Sequence, residues 1–268
     1  MVRRLSPRRR MFVAGLAALA VVIVVAVVVS VLVSGGGAGP APAAAGFPAQ
    51  DRPGPVLLVP GYGGSTGSLS VLARRIRAAG RVATVVDLPG HGTGSLIADA
   101  GVLNAAVNRA LRRGAPSVDV IGYSAGGVAT LAWVQEDGGA HKARRVITLG
   151  SPFHGTQLAS AAEGFLPGAC PVACQQLVPG SPLLTRLGAT AVLGRPRWLS
   201  LWSTGDTTVT PPDSARLTGA LNVPIQSVCP AVRVSHSQLP TNPAVTAMIL
   251  QALGSGHVRP PTASDCRG

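Results

Sequence analysis

Aromatic side chains make up only 3% of the 268 residues, and acidic residues number 10 against 23 basic. Nucleic-acid surfaces interleave basic residues with aromatics; here aromatics are scarce and the arginines scattered, which excludes that role despite a net charge of +13. Five of the positive units (Arg3, Arg4, Arg8, Arg9 and Arg10) sit in the first ten residues. The rest of the chain keeps 18 basic and 10 acidic residues, or +8. Lys142 is the only lysine, so the arginine excess reads as compositional bias rather than as a binding surface. A loose attraction to an anionic cell surface is what remains of it. Internal repeats of solenoid period are absent. Only one pair of cysteines is closely spaced and no histidine completes a set nearby, which argues against zinc; no metal is expected.

Charge is also missing from Met11 to Val33, 23 residues of mostly valine and alanine. At about 1.5 Å per residue the run reaches roughly 34 Å, enough for a bilayer core of about 30 Å. Signal-peptide cores are usually about 7–15 residues, so the run reads as an uncleaved transmembrane signal-anchor. Residues 1–10 then form a basic cytoplasmic terminus, and the positive-inside rule puts the remainder outside the cytoplasm. Cleavage after Ala43-Ala44-Ala45, giving a secreted protein, is the alternative. Residues 34–54 form a Gly/Ala/Pro tether with almost nothing to bury, expected to be flexible. The folded domain is expected over 55–268. Its cysteines, Cys170, Cys174, Cys229 and Cys266, lie on the oxidising side and suggest two disulfides among three possible connectivities. Proximity favours Cys170–Cys174 and Cys229–Cys266.

Within the domain, apolar runs alternate with amphipathic stretches. Strands are expected at 56–59, 82–87, 118–122, 145–149, 199–203 and 225–228, the last with a longer reading to Val234. Helices are expected at 69–79, 96–113, 125–134, 212–221 and 242–253. Near-continuous apolar strands separated by helices predict an α/β fold whose parallel six-stranded sheet is covered on both faces. Ligands bind such sheets at the carboxyl ends of the strands. The segment 150–196 breaks the alternation; with Phe165, Leu166, Pro167 and Leu177 it suits an acyl-chain pocket or a stapled structural loop.

The strand at 118–122 runs straight into Gly122-Tyr123-Ser124-Ala125-Gly126 and then a helix-compatible run. A Gly-x-Ser-x-Gly elbow between strand and helix lifts the serine hydroxyl clear of the backbone. The helix N-terminus behind it favours developing negative charge. A second match, Gly63-Gly64-Ser65-Thr66-Gly67, is separated from its strand by five residues, so Ser65 reads as a loop or N-cap serine.

A serine nucleophile needs a histidine base and an acid to orient it, in the chain order serine, acid, histidine for this architecture. His236, just after the final strand, is the base; His91, His141, His154 and His257 are placed less well. Asp206 follows the fifth strand at the same edge, whereas Glu136 and Asp137 end the helix after the elbow and Asp213 opens a helix. Glu163, in the insert, is the remaining acid. The oxyanion hole needs two backbone amides, assigned to Ala125 and to Tyr62 in Pro60-Gly61-Tyr62-Gly63-Gly64.

With these residues in view the chain resembles the α/β-hydrolase superfamily, and within it small secreted bacterial lipases and esterases of the class 2 lipase kind. The resemblance rests on residues 59–64, 87–92, 122–127, 149–156, 205–209 and His236, and departs where Pro60 replaces the usual histidine. It implies an acyl-enzyme on Ser124, no cofactor, and a shaping role for His154 and its neighbours. The expected protein is thus a serine carboxylic-ester hydrolase acting on lipid or other acyl esters, monomeric and held to the membrane by its N-terminal helix. An acyltransferase or thioesterase on the same fold, or a non-catalytic envelope protein, is the alternative.

Overall fold

The computed structural model describes Val21, residues 23–25 and residues 46–267, apart from 65, 166, 167, 169, 193–195 and 257. The chain divides into a unit over Met1–Ala45 and a second over Gly46–Gly268. Among the described residues no helix is long and apolar enough to cross a membrane. The expected anchor at 11–33 lies outside the described residues save for four positions, and tether residues 34–45 lie outside entirely.

The tether as expected ends too late. Phe47 stacks on His141 with ring centroids 5.0 Å apart, and the Arg144 guanidinium donates to the Gln50 carbonyl at 2.9 Å. Gly54 packs on the Ser117 backbone so closely that a Cβ there would meet the Ser117 oxygen at 1.7 Å. Residues 46–54 therefore belong to the second unit.

That unit is built on six parallel strands in the order β2-β1-β3-β4-β5-β6. They are β1 Val56–Val59, β2 Ala83–Val85, β3 Val118–Tyr123, β4 Ala143–Leu149, β5 Arg197–Trp202 and β6 Leu221–Pro224. The main helices are α1 Gly67–Ala78, α2 Leu96–Arg112, α3 Ala125–Glu136 and α8 Pro243–Leu253. Alternate side chains of a strand face opposite ways. Val56 and Leu58 pack with Leu72 and Ile76 of α1 and with Val245, Met248 and Ile249 of α8. Leu57 and Val59 pack with Leu103 and Val107 of α2 and with Val128 and Leu131 of α3. Both faces of the sheet are thereby covered, which explains why β1 is apolar throughout and why β3 and β4 are buried along almost their whole length, Asp119 and Arg144 pairing with each other inside.

The insert carries three short helices, α4 Gln157–Phe165, α5 Val172–Gln176 and α6 Pro182–Gly188. Leu177, Leu183, Leu184 and Leu187 sink into the same core layer as α2 and α3. The cysteines pair as proximity favoured, Cys170 with Cys174 and Cys229 with Cys266.

Two of the expected elements fail. Residues 225–228 are not the last strand but a single helical turn, α7 Ile225–Val228. The strand lies just upstream at Leu221–Pro224, pairing with β5 from Leu199↔Leu221 to Trp202↔Pro224. Pro224 has no N–H for a further ladder bond and its fixed φ of −64° suits the residue before a helical turn. The expected helix at 212–221 shrinks to a 3-10 turn at Pro212–Ala215. Asn222 takes up the freed backbone: its side chain accepts from the Leu217 amide at 2.8 Å and donates to the Leu217 carbonyl at 2.9 Å. Cys229 consequently ties the C-terminal tail to the end of α7 rather than to a strand.

Candidate active site

The strand order reverses direction at β1, whose neighbours are β2 and β3. The carboxyl end of such a switch point is where open parallel sheets hold ligands. β1 ends there in Pro60-Gly61-Tyr62, and β3 ends there in Tyr123-Ser124.

Ser124 adopts φ 53°, ψ −128°, outside the regions an L-residue occupies freely. Its surroundings hold it. The Ser124 amide donates to the Leu149 carbonyl at 2.9 Å, and the Gly127 amide donates back to the Ser124 carbonyl at 2.9 Å. The elbow fits only if its two motif glycines lack side chains. A Cβ on Gly122 would lie 2.6 Å from Gly127 Cα, and one on Gly126 would lie 2.3 Å from the Pro60 oxygen. The second contact ties the elbow directly to the loop after β1.

Past β5, the chain turns through Ser203-Thr204-Gly205 and presents Asp206, only 3% exposed. Its carboxylate Oδ1 accepts from the Thr208 and Val209 amides at 2.8 and 2.9 Å. Its Oδ2 lies 2.6 Å from His236 Nδ1. His236 opens a 3-10 turn, His236–Gln238, after a capping box between Ser235 and Gln238. Its Nε2 lies 3.0 Å from Ser124 Oγ. With Nδ1–H donating to Asp206, Nε2 is left as the acceptor for the serine hydroxyl.

Tyr123, not singled out by sequence, buttresses the histidine. Its hydroxyl donates to the His236 carbonyl at 3.2 Å and its ring lies 5.2 Å from the imidazole. Burial, then the Asp206 charge, pushes the Tyr123 phenol up to about 12, so it stays a neutral donor. Gly150 is the other residue that sequence reasoning missed. At φ +54°, a Cβ there would meet Leu239 Cδ1 at 2.7 Å, His236 Nδ1 at 3.1 Å and Asp206 Oδ2 at 3.2 Å. A side chain at 150 would press on the histidine–aspartate pair, and only a backbone without one fits beneath it.

Asp206, His236 and Ser124, named from the sequence as candidates, thus stand in series at hydrogen-bonding distance. The other candidates are elsewhere. The His154 ring faces the Ser214 carbonyl at 3.1 Å, His141 stacks on Phe47, and Glu136 pairs with Arg186 at 2.9 Å. Ser65 and His257 lie outside the described residues. The Ala125 and Tyr62 amides find no acceptor among the described residues. Tyr62 borders a hollow of about 280 Å³ that opens on Ser124 and His236, walled by Leu158, Ala159 and Leu177 of the insert and by Val209. A larger hollow, about 750 Å³, opens at the opposite end of the strands among Pro55, Arg81, Arg109 and Arg113, and its lining brings no nucleophile to a base. Volume does not mark the chemistry here. Among the described residues no group of histidine, cysteine or acidic side chains is arranged to hold a metal.

No family model and no curated protein matches the sequence. Solved structures do match. Aspergillus fumigatus lipase B is 20% identical, with a TM-score of 0.64 over 80% of this chain and 56% of its own. The mature Bacillus licheniformis lipase BlEst2 is 19% identical, with a TM-score of 0.59 over 81% of this chain and 95% of its own. The fold is that of the α/β-hydrolases. The Paleococcus ferrophilus monoacylglycerol lipase carries the same α/β-hydrolase fold at 17% identity, with a TM-score of 0.52 over 77% of this chain and 96% of its own. This chain spans just over half the length of the fungal lipase. At these identities the likeness is one of α/β-hydrolase architecture, and the chemistry has to be argued from the side chains.

Proposed function

We propose that this protein is a serine hydrolase of carboxylic esters, of the lipase or esterase kind, working through an acyl-enzyme on Ser124. The observation that carries the reading is the unbroken chain Asp206 Oδ2–His236 Nδ1 at 2.6 Å and His236 Nε2–Ser124 Oγ at 3.0 Å, at the mouth of an apolar hollow. In the proposed reaction Ser124 Oγ attacks the ester carbonyl carbon while its proton passes to His236 Nε2. The imidazolium so formed is stabilised by Asp206, whose remaining oxygen is already held by two amides. The tetrahedral oxyanion is assigned to the Ala125 and Tyr62 amides, the first sitting at the N-terminus of α3. Collapse breaks the bond to the leaving alcohol, which takes the proton from His236. A water molecule, activated by the same imidazole, then releases the acid.

Nothing in this cycle calls for a cofactor, and the proposed working unit is a monomer. Two disulfides fit an oxidising, extracytoplasmic compartment. The basic, apolar N-terminal sequence is proposed to hold the domain at the cell membrane, with secretion after cleavage as the competing outcome. The deciding assay compares hydrolysis of p-nitrophenyl butyrate by the chain and by its Ser124→Ala variant. Loss of the nucleophile is expected to lower turnover by up to about 10⁶-fold. Equal rates for the two proteins would end the proposal.

A further inference from the structure

The hollow at Ser124 does not stop at the insert. A second one, about 340 Å³, lies on the far side of the ridge made by α4, lined by Ala161, Phe165, Cys170 and Pro171. Tyr62, Leu158, Ala162 and Cys174 line both hollows. Adjacent through this shared lining, the two mark out a track from the nucleophile past α4 to the Cys170–Cys174 disulfide. Leu158, Ala161, Ala162 and Phe165 stand at the three-, four- and seven-residue spacing of a single helix face. Over those seven residues the ridge runs roughly 10 Å.

Its chemistry is uniform. Among the described residues that line the two hollows, His236 is the one ionisable side chain other than tyrosine, and it sits beside Ser124. Leu158 is 57% and Phe165 85% exposed, an unusual cost for large apolar groups unless something covers them. The far end is fixed: the disulfide closes a four-residue step, and the Gln175 side chain donates to the Cys170 carbonyl at 2.7 Å. Among the described residues of the outer hollow no side chain can pair with a charged ligand, whereas a hydrocarbon chain extending from Ser124 would find mostly apolar walls there.

We propose that the outer hollow is the distal half of the acyl site, so that the substrate is an ester with a long, unbranched acyl chain. The carbons next to the ester fill the hollow at Ser124, and the distal carbons lie over Ala161 and Phe165 against the Cys170–Cys174 bridge. A butyryl group ends before the ridge and gains nothing from the outer half. This inference rests on the ester-hydrolase reading.

The test uses the full chain and the variant Ala161→Trp, which fills the outer hollow from an exposed position. The ratio of kcat/KM for p-nitrophenyl palmitate to that for p-nitrophenyl butyrate is expected to fall on the order of tenfold, the worth of about two buried methylenes. An unchanged ratio overturns the proposal. A second measurement dispenses with turnover: dansyl-undecanoic acid is titrated into Ser124→Ala with and without Ala161→Trp. Binding weakened about tenfold by the tryptophan supports the track, and equal binding sinks it. A protein that hydrolyses no ester but still binds the acid in an Ala161-dependent way loses the catalytic reading and keeps the site. A protein that hydrolyses butyrate yet binds no acid keeps the first and loses the second. A ratio that shifts only when the palmitate ester is carried in phosphatidylcholine vesicles would make the ridge a lipid-surface contact, and would also overturn the proposal.

Discussion

Strain at Ser124 is held in place by neighbours that have no side chain to spare. The serine's left-handed φ persists because β3, β4 and the loop after β1 leave the elbow no other course. Ser124 and Asp206 were legible in sequence because each follows its strand within a few residues, where topology brings it to the carboxyl edge. His236 was reached through chain order, since the strand expected just before it is absent and β6 ends at Pro224. Gly150 and Tyr123 were not legible in that way. Their roles depend on where a Cβ or a phenol points across β3 and β4, a direction no local pattern records. Asp99 shows the same gap: in the first turn of α2 it reads as an ordinary N-terminal charge, yet it is only 4% exposed. Burial raises its carboxyl to about 6 from 3.8. The folded protein therefore binds this proton more tightly than the unfolded chain. Its contribution is whole below pH about 4 and is lost as pH rises through about 6, leaving a buried carboxylate that costs on the order of 3 kcal/mol at neutral pH. Urea unfolding of Asp99→Asn should show stability close to wild type at pH 4 and a gain of that order at pH 7.5. Parallel curves at the two pH values would refute the assignment.

At the level of elements, five of six strands and four of five helices lie within a few residues of where periodicity puts them. The misplaced pair, β6 and α7, is instructive. Ile225-Gln226-Ser227-Val228 has strand-like composition, but Pro224 before it and Pro230 after it favour a turn, and β6 needs only four residues because it is an edge. The insert's helices went unread for a different reason. Each is short, five to nine residues, and is stabilised by packing rather than by its own periodicity. The disulfides differ in consequence. Cys229–Cys266 closes 37 residues and fastens the tail beside α8, where the C-terminal turn Ala263–Arg267 packs. By loop entropy its removal is expected to cost about 4 kcal/mol, and the four-residue Cys170–Cys174 bridge considerably less. Thermal unfolding of Cys229→Ala/Cys266→Ala beside Cys170→Ala/Cys174→Ala checks the order; a larger loss from the short bridge would contradict it.

For the molecule as a whole, charge and composition excluded more than they identified, and the domain boundary was the coarsest expectation. Residues 46–54 look like a linker because proline, glycine and alanine dominate them, and only their contacts with Arg144, His141 and Ser117 make them part of the second unit. A chain beginning at Gly46 is therefore expected to unfold in one transition at the temperature of the full protein and to hydrolyse butyrate esters at the same rate. One beginning at Pro55 should melt earlier, because it loses the Gln50–Arg144 bonds. Calorimetry on the three proteins decides the matter, and identical transitions for all of them would return the boundary to residue 55.

Gly54 rests on Ser117, at the foot of β3, while Ser124 crowns the other end of that strand, roughly 20 Å away. A side chain at Gly54 would push on the foot of β3, a full strand length from the hollow that opens on Ser124, so damage there is expected to loosen the sheet while sparing the lining of that hollow.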